Sequence, residues 1–299
     1  MLTAVMALGF LAGAAALLYP CAASLYNGWR DAQILAAYDE QLAASEDAGD
    51  GYADEWAAAR AYNDALDPVI LPDSFAQASE PYTDDEAYAS VLDVTGTGLM
   101  GSVSIPAIGV EIPLYHSTEE QVLAKGAGHL LGSHLPIGGE GTHAVIAAHC
   151  GLPGNALFTD LDQLEAGDVF YIDVLDETLA YEVDLISVVE PDDTSLLVPE
   201  EGQDYVTLVT CTPYGVNTQR LLVRGHRIAY DADEQAATAA SKASLKTSYA
   251  LWALAGIAVA AVVLVAFDRR LRRRSARRAR RAGGGSGGDS CRGPDSGAP

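Results

Sequence analysis

Cysteine is scarce. Four occur in 299 residues, at positions 21, 150, 211 and 291, and no two form a CxxC pair. That excludes a zinc ribbon and a small disulfide-stapled fold. Basic side chains are also few: 18 Lys and Arg face 41 Asp and Glu, for a net charge of −23. An excess of this sign repels phosphates and excludes nucleic acid as a natural partner. No internal repeat is visible. Hydrophobic residues, at 49%, suffice for one sizeable core, so a disordered chain is excluded too.

The charge is unevenly spread. Residues 1–29 carry none, residues 30–267 carry 38 acidic against 8 basic side chains, and residues 268–299 carry 10 Arg against 3 Asp. An acidic body between an uncharged start and a basic tail is the pattern of a membrane protein. Two runs are long enough to span a bilayer, roughly Leu2–Leu25 and Ser248–Phe267. Arg269, Arg270 and Arg272–Arg274 follow the second run at once. The positive-inside rule puts that tail in the cytoplasm and the acidic body outside. Residues 1–26 read as a retained anchor or a cleaved signal peptide, and their length favours the anchor. If the anchor stays, both termini are cytoplasmic and the protein belongs to the cell membrane. Residues 268–299 read as a basic, then disordered tail.

Residues 30–66 are Ala-rich with helical spacing. Ile34, Leu35, Tyr38 and Leu42 make one stripe, and Trp56, Ala59, Tyr62 and Leu66 a second, with a break at 48–51. Asp67-Pro68-Val69 stops the second helix, because the residue before Pro is pushed out of the α region. Residues 67–97 then read as a long loop, and such loops are often lids. From 98 to 231 the pattern is short strands: Met100–Ile108, Val110–Tyr115, Thr142–His149, Val169–Val174, Leu179–Val189, Tyr205–Cys211 and Arg220–Tyr230. One short helix is expected at Thr118–Lys125, where Ser117 and Glu120 have capping-box spacing. The class is mainly β, a barrel or a sandwich.

Cys211 is the first chemical candidate, since it ends a strong β run just before a turn. A thiol of pKa ~8.5 is only about 3% thiolate at pH 7, so catalysis needs a cationic neighbour. His149 ends another β run, and Arg220 opens the strand after the 212–219 loop. A hairpin there would set Arg220 opposite Cys211. Arginine would then stabilise an oxyanion rather than act as a base. Taken singly, each residue has a plainer explanation: a packed thiol, a core histidine, a solvated rim arginine. Their joint spacing makes the case. His116, His129, His134 and His143 lack metal-ligand spacing and read as structural. His226 lies ~20 Å along the strand from Arg220.

Thr207-Leu208-Val209-Thr210-Cys211, with Arg220 nine residues on, resembles the sortase signature, TLxTC followed by an arginine. His149-Cys150-Gly151-Leu152-Pro153, Cys211-Thr212-Pro213-Tyr214-Gly215-Val216-Asn217-Thr218, Ile112–His116 and Leu135–Gly139 are similar to segments of the class C, pilin-polymerising sortases of Gram-positive bacteria. The resemblance covers roughly residues 62–230. It implies a closed eight-stranded sortase β-barrel at 98–231 with a helical extension at 30–66; the lid at 67–97 and the transmembrane helices at 1–26 and 248–267 flank it. It implies a cysteine transpeptidase that cleaves LPxTG-like sorting signals between Thr and Gly and passes the product to a lysine of another pilin. Cys211 would be nucleophile, His149 acid and base, and Arg220 the oxyanion and backbone holder. No cofactor or metal is implied. Asp67-Pro68-Val69 stands where the class often carries a lid with Asp-Pro-aromatic, and Val69 departs from the aromatic form. Cys150 stands where the class usually has Arg. The alternatives are a housekeeping-like sortase acting on peptidoglycan and a non-catalytic anchored barrel.

Overall fold

The computed structural model describes residues 2–46, 51–68, 85–152, 154–233, 235–238 and 240, plus six single positions between 256 and 270. All eight strands lie in residues 16–245, one of two units; residues 1–15 and 246–299 make up the other.

The strands close into a barrel in the order β1-β2-β3-β4-β7-β8-β6-β5. They are β1 (Leu99–Ile105), β2 (Val110–His116), β3 (Ala127–His129), β4 (Thr142–Ala147), β5 (Val169–Val174), β6 (Glu177–Val189), β7 (Asp204–Thr212) and β8 (Gln219–Ile228). Two neighbouring pairs, β2·β3 and β4·β7, run parallel, and the rest are antiparallel. The expected mainly-β barrel is therefore the fold. Most strands differ from the expectation by one to three residues at an end, and one strand was not expected. β1 stops at Ile105, because Pro106 opens a turn in which Ile108 N bonds back to Ile105 O. β3 has only three residues, too short to leave a period-two signature.

β4 and β7 are buried on both faces, which explains their unbroken apolar runs. Ala144, Ile146, Val206, Leu208, Leu221 and Val223 join the main core. The alternate residues Val145, Ala147, Val209 and Leu222 point the other way. They pack with Leu123, Leu130 and Leu197 outside the barrel wall.

Four helices are described around the barrel. α1 (Leu2–Glu46) is continuous, so no break separates the apolar start from the helical extension. Its expected stripe docks: Leu35 and Tyr38 are buried, Ile34 and Leu42 half-buried, and Tyr38 Oη donates to Met100 O at 3.0 Å. Further toward its start, Asn27 Nδ2 donates to Gly154 O at 2.6 Å. Gly154 has φ +80°, and a Cβ there would sit 2.4 Å from that of Ala23. Only glycine lets the helix come this close. α2 (Ala53–Ala65) buries Trp56, Ala59 and Asn63. Tyr62 of the expected stripe packs against the main core, and Asn63 beside it exchanges two hydrogen bonds with the backbone of Leu135, at 2.8 and 3.2 Å. α3 (Glu86–Ser90) lies inside the expected 67–97 loop and plants Tyr88 in the core. α4 is only Glu120–Leu123. Ser117 Oγ accepts from Glu119 N instead of forming a capping box, because Ser117 itself sits at φ +66°.

No helix among the described residues is long and apolar enough to cross a membrane. The expected span at 248–267 lies outside the described residues except for four single positions, and the tail at 268–299 except for Arg269 and Arg270.

Asp31 is 3% exposed in the α1–barrel seam. Burial raises its pKa to about 6, with Arg30 pulling the other way. A carboxyl whose folded pKa is raised costs stability above that pKa, and the cost fades as pH falls toward its ordinary value near 4. Asp31→Asn is therefore expected to stabilise the fold by roughly 1–2 kcal/mol at pH 7.5 and by nothing measurable at pH 4. Denaturant unfolding at the two pH values checks this; an equal gain at both would refute it.

Candidate active site

Cys211 and Arg220 face each other as Cα partners across β7 and β8. The hairpin expected from their spacing is present. β4 pairs with β7 through Ala147 and Val209, and Ala148 N still donates to Val209 O at 3.1 Å. Thr210 Oγ1 donates to Ala148 O at 2.7 Å, pinning the two strands at their last step. His149 and Cys211 then stand one residue beyond this clamp, each two positions past the paired Ala147 and Val209. The three candidates thus meet at one end of three adjacent strands.

Side-chain alternation says which face they share. Val145 and Ala147 precede His149, Val209 precedes Cys211, and Leu222 follows Arg220, all on the outward face. The site therefore lies on the outer face of the wall, with α4 beside it, not in the barrel lumen. Cys211 and Arg220 are each 8% exposed, and His149 is half-buried.

Arg220 Nη1 donates to Asn217 O at 3.2 Å and to Gln219 O at 3.0 Å. The guanidinium is thereby tied to the loop that leaves the thiol's strand. Burial lowers the His149 pKa, and Glu120 on α4 raises it in part. The imidazole is thus predominantly neutral at pH 7. Phe158 N donates to His149 O at 3.1 Å, and Gly151 N to Thr159 Oγ1 at 3.0 Å, so the 149–159 loop closes on itself. Sequence reasoning missed Thr210 and Glu120. The signal for Thr210 was a hydroxyl in an otherwise apolar run, one place before the thiol.

Neither Cys150 nor Cys211 forms a disulfide. Cys150 Sγ lies 4.0 Å from Thr159 O, and burial, with Asp162 and Asp160 nearby, raises its pKa. The remaining histidines serve the fold. His129 Nε2 meets His134 O at 2.7 Å and its Nδ1 meets Tyr88 Oη at 2.8 Å; burial pushes its pKa down to about 3. His143 Nε2 meets Thr207 Oγ1 at 2.7 Å. His116 lies between the carbonyls of Gly98 and Val91. His226 pairs with Tyr205, far down β8 from Arg220.

Asp67 is exposed and Pro68 half-buried just past α2. Val69 and the rest of 69–84 lie outside the described residues. Among the described residues, no group of three or more His, Cys, Asp or Glu is placed to hold a metal ion. A cavity of about 280 Å³ is lined by Asp39, Glu111, Asp173, Asp176 and Glu177. It lies at the start of β6, whereas Arg220 pairs with Val189 at its end. Twelve extended residues, roughly 40 Å, separate the two, so the cavity is not part of this site.

Residues 103–228 match the family model described as the sortase domain. The chain is 30% identical over 151 residues to sortase A of Bacillus anthracis, covering 50% of this chain and 70% of that protein. It is similar to the crystal structure of sortase C from Streptococcus pneumoniae, with TM-score 0.61 and 44% identity over 67% of this chain and 98% of that one. It is also similar to a pilus-related sortase C of Group B Streptococcus, with TM-score 0.54 and 47% identity over 59% of this chain and 88% of that one.

Proposed function

Because the chain belongs to the sortase family of cysteine transpeptidases, we propose that it cuts an LPxTG-like signal between Thr and Gly and joins the product to a lysine amine of a pilin subunit. One observation carries this reading: the Cys211–Arg220 register pair beside the strand that runs into His149. The likeness to sortase C of S. pneumoniae, a structure described for its insight into pilin substrate specificity, and to the pilus-related Group B enzyme favours pilins over peptidoglycan as acceptor.

The chemistry follows from the three side chains. Neutral His149 first takes the Cys211 proton, and the thiolate so formed attacks the Thr carbonyl carbon. Arg220 steadies the oxyanion while the tetrahedral intermediate lasts. His149 as imidazolium gives its proton to the leaving Gly amine, so the C–N bond breaks and a thioacyl enzyme remains. The acceptor amine then attacks the thioester. His149 takes its proton, and the thiolate leaves as the new amide forms.

Residues 2–25 and 248–267 span the membrane in this reading, with the barrel outside and both termini inside. The uncharged start and the ten arginines beyond 267 support it. The Asn27–Gly154 contact supports retention of the first span. The 67–97 segment, with Asp67, Pro68 and Val69, is the proposed lid.

The test is intact and tandem mass spectrometry of the full-length protein with an LPxTG-type peptide and two competing acceptors, a lysine-bearing pilin-type peptide and a peptidoglycan stem peptide. A thioacyl adduct that resolves onto the lysine peptide is expected. Transfer to the stem peptide alone would favour the housekeeping reading, and no adduct even with residues 69–84 deleted would favour a non-catalytic barrel. The burial of His149 sets the pH dependence. A lowered pKa delays protonation of the Cys211–His149 pair, so the acid limb of kcat/KM should lie below that of an ordinary imidazole. Glu120→Gln removes the raising charge and should move that limb lower still. A limb unmoved by Glu120→Gln would refute the electrostatic link.

A further inference from the structure

Tyr214 stands in the loop between Cys211 and Arg220 and is 69% exposed. Burial that shallow contributes little hydrophobic stability. Yet its ring lies directly over the backbone of Gly151, two residues after His149. A Cβ on Gly151 would sit 2.8 Å from Tyr214 Cε2 and 3.3 Å from Cδ2 and Cζ. Gly151 also has φ +80°, a conformation that other residues adopt only at a cost. The position is thus left bare both for the turn and for the ring. The two loops that the ring joins come from different strands. One follows β4 and carries His149; the other links β7 to β8 between the thiol near the end of β7 and the arginine near the start of β8. Below them Thr210 clamps the strands at Ala148, but the loops extend past that clamp. In the loop of Tyr214, Val216 N and Asn217 N both bond to Pro213 O at 2.9 Å, and Arg220 bonds to Asn217 O. The ring therefore projects from a braced turn.

We propose that Tyr214, seated on Gly151, is a positioning residue that holds the His149 loop in register with Cys211 and Arg220. Proton transfer between imidazole, thiol and amine tolerates little misplacement: about 1 Å can cost 10²-fold in rate. The ring, not the hydroxyl, does this, since the contact is carbon on carbon.

The inference rests on the transpeptidase reading, and its test separates the two. Full-length Tyr214→Ala, Tyr214→Phe and Gly151→Ala are compared with wild type for kcat, KM and the pH profile of peptide ligation. The alkylation rate of Cys211 by iodoacetamide, mapped by mass, is followed over the same pH range. Tyr214→Ala is expected to lower kcat about tenfold with KM within about twofold, and to raise the acid limb as His149 gains water. Tyr214→Phe should keep wild-type values, and Gly151→Ala should mimic Tyr214→Ala by displacing the ring. A wild-type kcat in Tyr214→Ala would overturn the proposal, as would a Phe variant no better than Ala. Should Tyr214→Ala unfold early, Gly151→Ala decides: unchanged kcat overturns the proposal. If wild type ligates nothing, the functional reading fails alone. The positioning role then stands or falls on whether the alkylation profile of Cys211 shifts in Tyr214→Ala and not in Tyr214→Phe.

Discussion

Cys211→Ala leaves a folded protein that forms no thioacyl adduct and ligates at least about 10⁴-fold more slowly. The site itself sets the size of this effect. No other thiol can substitute: Cys150 points at the Thr159 carbonyl, and burial with Asp160 and Asp162 keeps it protonated. The fold should survive, because Cys211 sits at the end of β7 on the outward face, where the loss of one sulfur leaves the main core untouched. The measurement is intact mass after incubation with an LPxTG-type peptide, with an unfolding curve in parallel. An adduct on Cys211→Ala would move the nucleophile elsewhere and end the proposed assignment.

Arg220→Ala is expected to lower kcat/KM by about 10²–10³, the usual loss for one oxyanion donor. Lysine should recover little of it. A guanidinium presents five donors in a plane, so it can serve the Asn217 and Gln219 carbonyls and still reach a substrate. An ammonium on a flexible stem cannot do both. Some of the loss will come through the loop, since the alanine variant also releases two hydrogen bonds beside the thiol. Arg220→Lys with the loop held but kcat/KM still down 10²-fold would isolate the oxyanion role. Full activity in either variant would refute it.

The site was legible in the sequence because its parts lie on long, strongly patterned strands. The run before Cys211, the run before His149 and the nine-residue step to Arg220 all survive in the register. What stayed hidden was short or contextual. β3 spans three residues, and α3 is five residues inside a stretch rich in turn formers. The burial of Asn63 beside the apolar stripe was hidden, because the polar side chain meets the backbone of Leu135, a partner 72 residues away. The outward setting of the site could have been read from parity: Cys211 and His149 alternate with residues of the barrel core. Glu120 acts on His149 through space, and spacing along the chain carries no trace of that.

α1 has a bearing on which proteins the site can meet. Asn27 is two residues, about 3 Å of helix rise, beyond Leu25, and it holds the carbonyl of Gly154, five residues from His149. If Leu2–Leu25 lie in the bilayer, as proposed, this contact would hold the His149 loop within a turn of helix from the end of that run instead of on a tether. Substrates would then be met by lateral diffusion in the same sheet of lipid, while still rooted there. A subunit already lifted away from the surface would pass out of range, so height above the bilayer would act as a filter alongside the sorting signal itself.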